Sequence, residues 1–311
     1  MGRSKSSREP SMALRILVGI APWLRPSKWF TWLILAGLLV ATVAVWQSWG
    51  PVVLGDRRYQ LRPESIEVTP QPDWIRSDVR REVVEANDLS SQSALDPQIT
   101  VTVARAFSVH SWVARVHNVR KEYPARVFVE LEYRRPVGMV MVKRDDGNPG
   151  VIPVDGAAVV LPTDDFERDA DGDSPVRNYL RIHVGDTRHH GPTGTVWGDE
   201  RVAAAARIAE WLSDYWQSLG LHRIELAEES SGNRAEELLF DLVAKDDRRY
   251  FWGHAPGNER PGELEADEKL ELLRESARVA PAGSNRFDLR SKNALPLQSR
   301  RIQQDGTGDT R

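Results

Sequence analysis

His189 and His190 are the nearest thing to a metal-ligating pair in this 311-residue sequence. They sit beside Gly191-Pro192, where adjacent side chains rarely converge, so a solvated pair is expected. The run Glu167-x-Asp169-x-Asp171-Gly172-Asp173 has the spacing of a calcium loop with glycine sixth. Its ninth position is Pro175 and its twelfth Asn178, where a bidentate glutamate is needed, so the acidic segment 163–174 reads as a solvated loop. No lysine has a serine three residues before it, and Gly-x-Ser-x-Gly, His-Glu-x-x-His and a phosphate-cradling Walker loop are missing. Asp145-Asp146 and Asp246-Asp247 adjoin Arg or Lys and read as solvated turns. With no cysteine, thiol nucleophiles, disulfides and zinc ribbons are excluded as well. The expectation is a protein without catalytic residues, metal or cofactor, acting by recognition.

Such a protein must be placed and held. From Trp29 to Trp49 run twenty-one residues without a charge. At 1.5 Å per residue they make about 30 Å of helix, the thickness of a bilayer core. Trp29 and Trp32 at one end and Trp46 and Trp49 at the other suit the two membrane interfaces as anchors. The run is too long for a signal peptide, and no small-x-small site precedes Pro51, so it reads as an uncleaved transmembrane helix over 29–49. Segment 1–28 carries six Lys/Arg against Glu9 alone, net +5, and a chain total of -3 leaves -8 for the remainder. The basic flank predicts a cytoplasmic N-terminus and an extracytoplasmic main part, on an inner (plasma) membrane. The acidic balance argues against nucleic acid as a partner.

Beyond the span, strands alternate with helices. Ile66–Val68 reads as a strand; Asp73 then caps a helix showing Ile75, Val79 and Val83 on one face. A second helix opens at Asp96-Pro97 and shows Ile99, Val103, Ala106 and Phe107. Strands follow at 113–123 and 127–133, where Val127, Val129, Leu131 and Tyr133 alternate with Phe128, Glu130 and Glu132. The order over 59–142 is β-α-α-β-β. After the polar link 143–150, a hairpin at Asp155-Gly156 opens a second unit. A helix runs from Asp199 through Trp216 and Leu219 to Gly220, with strands at 221–226, 237–244 and 249–252, a helix at 266–279 and a last strand at 286–295. From Pro296 a polar, disordered tail is expected. The fold class is α+β, with a β-rich second domain over 143–295 carrying flanking helices. Most of the eleven Trp are anchors or core. Trp252, in a late strand, suits a binding surface as well as a core.

Several blocks together resemble the FtsQ/DivIB cell-division family. His110-Ser111-Trp112-Val113, Val119-Arg120-Lys121-Glu122-Tyr123-Pro124 and Val127–Tyr133 closing at Arg135-Pro136-Val137 are similar to the end of that family's POTRA domain. Val154-Asp155-Gly156, Glu268-Lys269-Leu270-x-x-Leu273 and Phe287-Asp288-Leu289-Arg290 resemble its hairpin, penultimate helix and late strand. The family's aromatic after that strand is replaced by Ser291-Lys292-Asn293.

The resemblance implies a non-enzymatic, single-span scaffold of the division machinery at the septum. It would bind other single-span division proteins of the FtsB/FtsL type and septal wall-synthesis components. The mode would be strand addition at the last sheet edge, with Trp252, Phe287, Asp288, Leu289, Arg290, Ser291 and Lys292 as the partner-binding candidates. The rivals are a POTRA-bearing envelope-assembly or secretion protein and a membrane-anchored hydrolase with a dispersed site.

Overall fold

In the computed structural model the described residues are 28–54, 60–123, 125–167, 175–232, 234–279 and 286–292. They fall into a unit ending at Gln60 and a second starting at Leu61. The segment 1–27, the side chains of Trp29 and Trp49, Asp169, Asp171 and Asp173, Pro124, residues 293–295 and the tail 296–311 lie outside the described residues.

The first unit is helix α1, Lys28–Leu54. Its stretch Phe30–Ser48 has a mean hydropathy of 1.9 and is long and apolar enough to cross a membrane. Trp32 and Trp46 are exposed near its two ends. Thr42 and Ser48 turn their hydroxyls back onto the carbonyls of Leu38 and Ala44, at 2.6 and 2.5 Å, so neither presents a bare donor along the helix.

The second unit is mixed α+β. A three-stranded sheet has the order β1 (Ile66–Val68), β3 (Arg126–Tyr133), β2 (Val113–Glu122); β1 runs parallel and β2 antiparallel to β3. Helices α2 (Val79–Ala86) and α3 (Ile99–Ser108) contribute Val79, Val83, Val103 and Phe107 to the core beneath Val127, Val129 and Leu131. Strand alternation and helix periodicity therefore point these side chains inward as expected. Both helices start later than the sequence suggests. The N-cap of α2 is Asp78, whose side chain accepts from Arg81 N–H, while Ile75 is buried in the preceding turn. That turn is held by side-chain bonds: the Gln71 amide donates to the carbonyls of Ile75 and Ser77. Asp96 likewise holds Gln98 N–H at 2.8 Å, in a turn ahead of α3.

The other sheet has seven strands in the order β10-β9-β8-β7-β6-β4-β5: β4 Pro136–Lys143, β5 Pro149–Asp155, β6 Leu180–His183, β7 Leu221–Leu226, β8 Phe240–Ala244, β9 Arg249–Gly253 and β10 Arg286–Asp288. Helix α4 (Glu200–Trp211) joins the parallel pair β6/β7, and α5 (Ala266–Val279) joins the parallel pair β9/β10. Both helices share one core with Val140, Ile182, Ile224, Leu242, Tyr250, Trp252 and Phe287. Helix α4 is shorter than its apolar pattern: it stops at Trp211, and turns carry Trp216 inward as far as Gly220, whose φ of +66° ends the run.

Strand β4 belongs to this second sheet, so the chain changes sheet at Arg134-Arg135, within the 59–142 segment read from the sequence. Strand β6 was not anticipated. Only Leu180 and Ile182 mark its buried face, too short a pattern to stand out beside the acidic loop. The last strand covers 286–288 rather than 286–295.

The two sheets are joined by side chains that the sequence leaves unremarked. Met139, Leu161 and Phe166 pack into the core of the first sheet, Phe166 lying 6.1 Å from Trp112. Asp165, buried within the acidic loop, accepts from the Trp112 indole at 2.7 Å and from the backbone N–H of Arg76 and Ser77 at 2.9 and 2.8 Å. Removing that carboxylate strands three donors, one of them fully buried. Asp165→Ala is therefore expected to cost about 2–4 kcal/mol, read as a lowered urea midpoint at unchanged slope, and Asp165→Asn clearly less. A loss below about 0.5 kcal/mol would remove the clamp from the account.

Candidate partner-binding edge

Strand β10 is the outer strand of the seven-stranded sheet among the described residues. It pairs parallel with β9, Arg286 against Arg249, Phe287 against Tyr250 and Asp288 against Phe251, and Leu289 N–H donates to Phe251 C=O at 2.9 Å. In a parallel ladder alternate residues bond to the neighbour. Phe287 and Leu289 therefore face β9, while the N–H and C=O of Arg286 and Asp288 point away from the sheet.

Two contacts end the strand. The Asp288 carboxylate takes Arg290 N–H at 3.0 Å and the Arg290 guanidinium at 2.7 Å, a local turn that competes with extension. Leu264 N–H then occupies Arg290 C=O at 3.0 Å. This is why the expected run to Leu295 stops short.

The two faces of the edge differ. On the helix side Phe287 stacks on Tyr250, ring centres 5.7 Å apart, and Leu289 is fully buried. On the other side the guanidiniums of Arg286 and Arg290 lie 4.3 and 4.4 Å from the ring of Phe251. Arg286 also makes a two-pronged pair with buried Asp241, at 3.0 and 3.1 Å, and a second with Glu229. Burial works against the Arg286 charge, but the hydrogen bonds and charge of Glu229 and Asp241 outweigh it and hold its pKa above the ordinary arginine value. Burial raises the Asp241 carboxyl against the pull of Arg286. Burial also opposes the Asp288 charge, yet its bonds from Arg290 hold that carboxyl below the usual value. The lattice continues inward through Arg249 and Arg223, both paired with Glu225, at 2.9 and 2.6 Å.

Behind the edge lies a buried polar cluster. Lys269, fully buried on α5, bonds Glu263 at 2.6 Å and the His254 carbonyl at 3.3 Å, and its ammonium stands 5.3 Å from the Trp252 ring. His254 contributes its ring at 2.5 Å and its N–H at 2.9 Å to the same Glu263. Gly253 has φ +85°, and a Cβ there would come within 2.3 Å of Glu263 Oε1, so the strand end and the carboxylate fit only around glycine. Burial lowers the Lys269 pKa, and Glu263 pulls it back. For Glu263 burial acts upward, but bonds from Lys269 and His254 prevail and hold it below the ordinary 4.5. Lysine, histidine and glutamate could do acid–base chemistry, yet this ammonium has no exposed surface and its bonds go to Glu263 and a carbonyl. The cluster instead fixes segment 263–264, which closes the end of β10.

The structure does not bring all seven partner-binding candidates to the surface. Trp252 is fully exposed to the core and not to solvent, and Phe287 and Leu289 are buried with it, so a partner meets none of these three side chains. This corrects the surface reading of Trp252: strand alternation turns it, with Tyr250, under α5. Asp288 and Arg290 are half-buried and pair with each other; Ser291 and Lys292 are exposed, Lys292 meeting Glu268 at 3.0 Å. Sequence reasoning missed Glu229, Asp241, Arg249, His254 and Glu263. One signal was available, a lone carboxylate, Asp241, within the apolar strand Phe240–Ala244. Elsewhere, His189 lies edge-on to Trp197, Asp145 pairs with Arg188 and Asp246 with Arg248. Among the described residues no group of three His, Asp or Glu side chains is placed to hold a metal ion.

Lys269→Ala leaves Glu263 buried without its cation and is expected to cost about 3–5 kcal/mol, whereas Lys269→Met combined with Glu263→Gln should recover about half of that. Because Glu263 is held below 4.5 when folded, its contribution is fully present above 4.5 and is lost progressively as pH falls from there through the lower folded value. Urea midpoints at pH 7 and pH 4 should differ, and Glu263→Gln should narrow the difference. An unchanged difference would assign the acid sensitivity to other carboxylates.

In comparisons with known proteins no family model matches this chain, and no curated protein matches it.

Proposed function

We propose that this protein is a non-enzymatic, single-span scaffold of the bacterial division machinery, anchored by α1 with its basic N-terminus in the cytoplasm. Its second unit captures partner segments outside the membrane by strand addition to β10. The observation that carries the reading is the outer position of β10, where the backbone groups of Arg286 and Asp288 point away from the sheet. The resemblance of segments 110–137 and 287–290 to the FtsQ/DivIB family supports it, and so does the +5 flank before an apolar helix. On this reading β1, α2, α3, β2 and β3 form the POTRA domain, the remaining strands form the partner-binding domain, and the protein sits at the septum. Small single-span division proteins of the FtsB and FtsL type supply the added strand. Recognition rests mainly on backbone pairing, because Phe287 and Leu289 are committed to the core.

The test compares Asp288→Pro with Asp288→Ala. Both remove the carboxylate that turns Arg290, but only proline removes the outward N–H. With the extracytoplasmic segments of the same bacterium's FtsB- and FtsL-type proteins as probes, Asp288→Pro should bind at least about tenfold more weakly than Asp288→Ala at equal urea midpoints. Equal binding by the two variants would sink the strand-addition mode. A fluorescent fusion should form a mid-cell band, and an even membrane signal would count against a division role. Protease added to spheroplasts should digest the part after Trp49 and spare an N-terminal epitope; protection of the C-terminal part would reverse the orientation.

A further inference from the structure

The chain enters the second unit at one end of the three-stranded sheet. Leu61 N–H donates to Gln92 C=O at 3.0 Å, and Ile66 pairs with Val127 at the start of β3. The turn between β2 and β3 closes at the same end, where Glu122 faces Arg126, and the Lys121 ammonium reaches Asp96 C=O at 3.0 Å, ahead of α3. The far end, where Val113 faces Tyr133, leads into β4. Seven steps of chain lead from Leu54, the last residue of α1, to Leu61. Extended, they reach about 25 Å, so this end is the one that the tether keeps within reach of the bilayer surface.

Three of the six large apolar side chains exposed among the described residues of the second unit gather here: Tyr123 at 90%, Val101 at 56% on the first turn of α3, and Leu95 at 37%. A lone exposed apolar side chain needs no explanation, but three at the tethered end form a surface. The charges around them balance, Arg126 pairing with Glu67 and Arg120 with Glu122, while Lys121 and Arg62 are offset by Asp96 and Glu64. An acidic partner therefore gains little, whereas the membrane interface suits a tyrosine whose ring is apolar and whose hydroxyl stays in water. We propose that this end of the second unit rests in the headgroup layer of the bilayer that α1 spans, with Tyr123, Val101 and Leu95 in contact with lipid. So few side chains would not hold a free protein on a membrane. The tether makes the contact intramolecular, at an effective concentration on the order of millimolar. The inference rests on reading α1 as the anchor and not on the division role.

The full chain has no cysteine, so a single thiol can be labelled with a fluorophore before the protein is placed in vesicles of zwitterionic lipid. Gln98→Cys puts the label between Leu95 and Val101 in sequence, and Ser108→Cys puts it at the other end of α3; both positions are exposed. Lipid carrying a nitroxide on its headgroup should quench the label at position 98 at least threefold more than at 108. Adding Tyr123→Ser and Val101→Ser, at sites too exposed to disturb the fold, should bring the two positions to the same level. Equal quenching without the serines, or a difference that survives them, would overturn the contact. Val40→Cys, in the apolar stretch of α1, should be quenched by an acyl-chain nitroxide in every variant. Quenching there with no preference for position 98 overturns this inference alone, and no quenching there overturns the anchor along with it.

Discussion

Asp165 stands where the two sheets meet, and its carboxylate, on the loop that follows β5 of the seven-stranded sheet, accepts from groups of the three-stranded half: the Trp112 indole at the start of β2 and the backbone ahead of α2. A buried indole N–H and two backbone N–H groups would otherwise be stranded out of water, at a cost comparable to a good fraction of a domain's stability. Phe166, next in sequence, completes the joint by packing against Trp112 and Tyr179. Two residues of an acidic loop therefore decide how the first sheet is tied to the second. Arg134, at the change of sheet, adds an ion pair with Asp155 at 2.7 Å, while the Arg134 carbonyl accepts from the Trp74 indole. The connection is dense in bonds that only the folded chain can make.

From that joint the seven-stranded sheet runs outward to β10, and the way each face is covered explains how β10 is held as the outermost strand among the described residues. One face lies under α4 and α5, both delivered there by parallel crossovers. The opposite face, away from the joint, carries arginines from β7, β9 and β10 paired with Glu225, Asp241 and Glu229. The long arginine stems cover Phe251 and Asp241 while their charged heads stay near water. Such a surface needs no second layer. The outermost strand is held by Arg286 on one side and Phe287 on the other, leaving its backbone groups facing outward.

Polar groups under α5 set the limit of that edge. Glu263, neutralised by Lys269 and bonded by His254, holds the segment whose Leu264 N–H takes the last carbonyl. A buried pair of this kind contributes more to geometry than to stability, since the attraction largely repays the desolvation of its members. Its consequence is a short, defined edge instead of a long flat one, which also guards against unwanted pairing.

Periodicity and the lack of charge are properties of local sequence, and the features that depend on them were legible: the apolar helix Phe30–Ser48, the inward faces of α2, α3 and β3, most later strands and α5. The chain's local pattern also carried the α+β class. The start of α2 was misplaced because Gln71 and Asp165, respectively four and eighty-eight or more residues from the groups they bond, hold the turn that propensity would have made helical, and the start of α3 because the Asp96 side chain holds Gln98 N–H in a turn ahead of it. Strand β6 escaped notice because four residues give too little pattern, although three-dimensional neighbours make it central to the sheet. The sheet to which β4 belongs, the burial of Trp252, the early end of β10 and the Lys269–Glu263 pair were likewise invisible. The first two follow from contacts between residues far apart in the chain, and the last two from near neighbours in sequence whose pairing is decided by how α5 packs against β9 and β10; one sequence records which groups could meet without recording which of them the packed elements bring together.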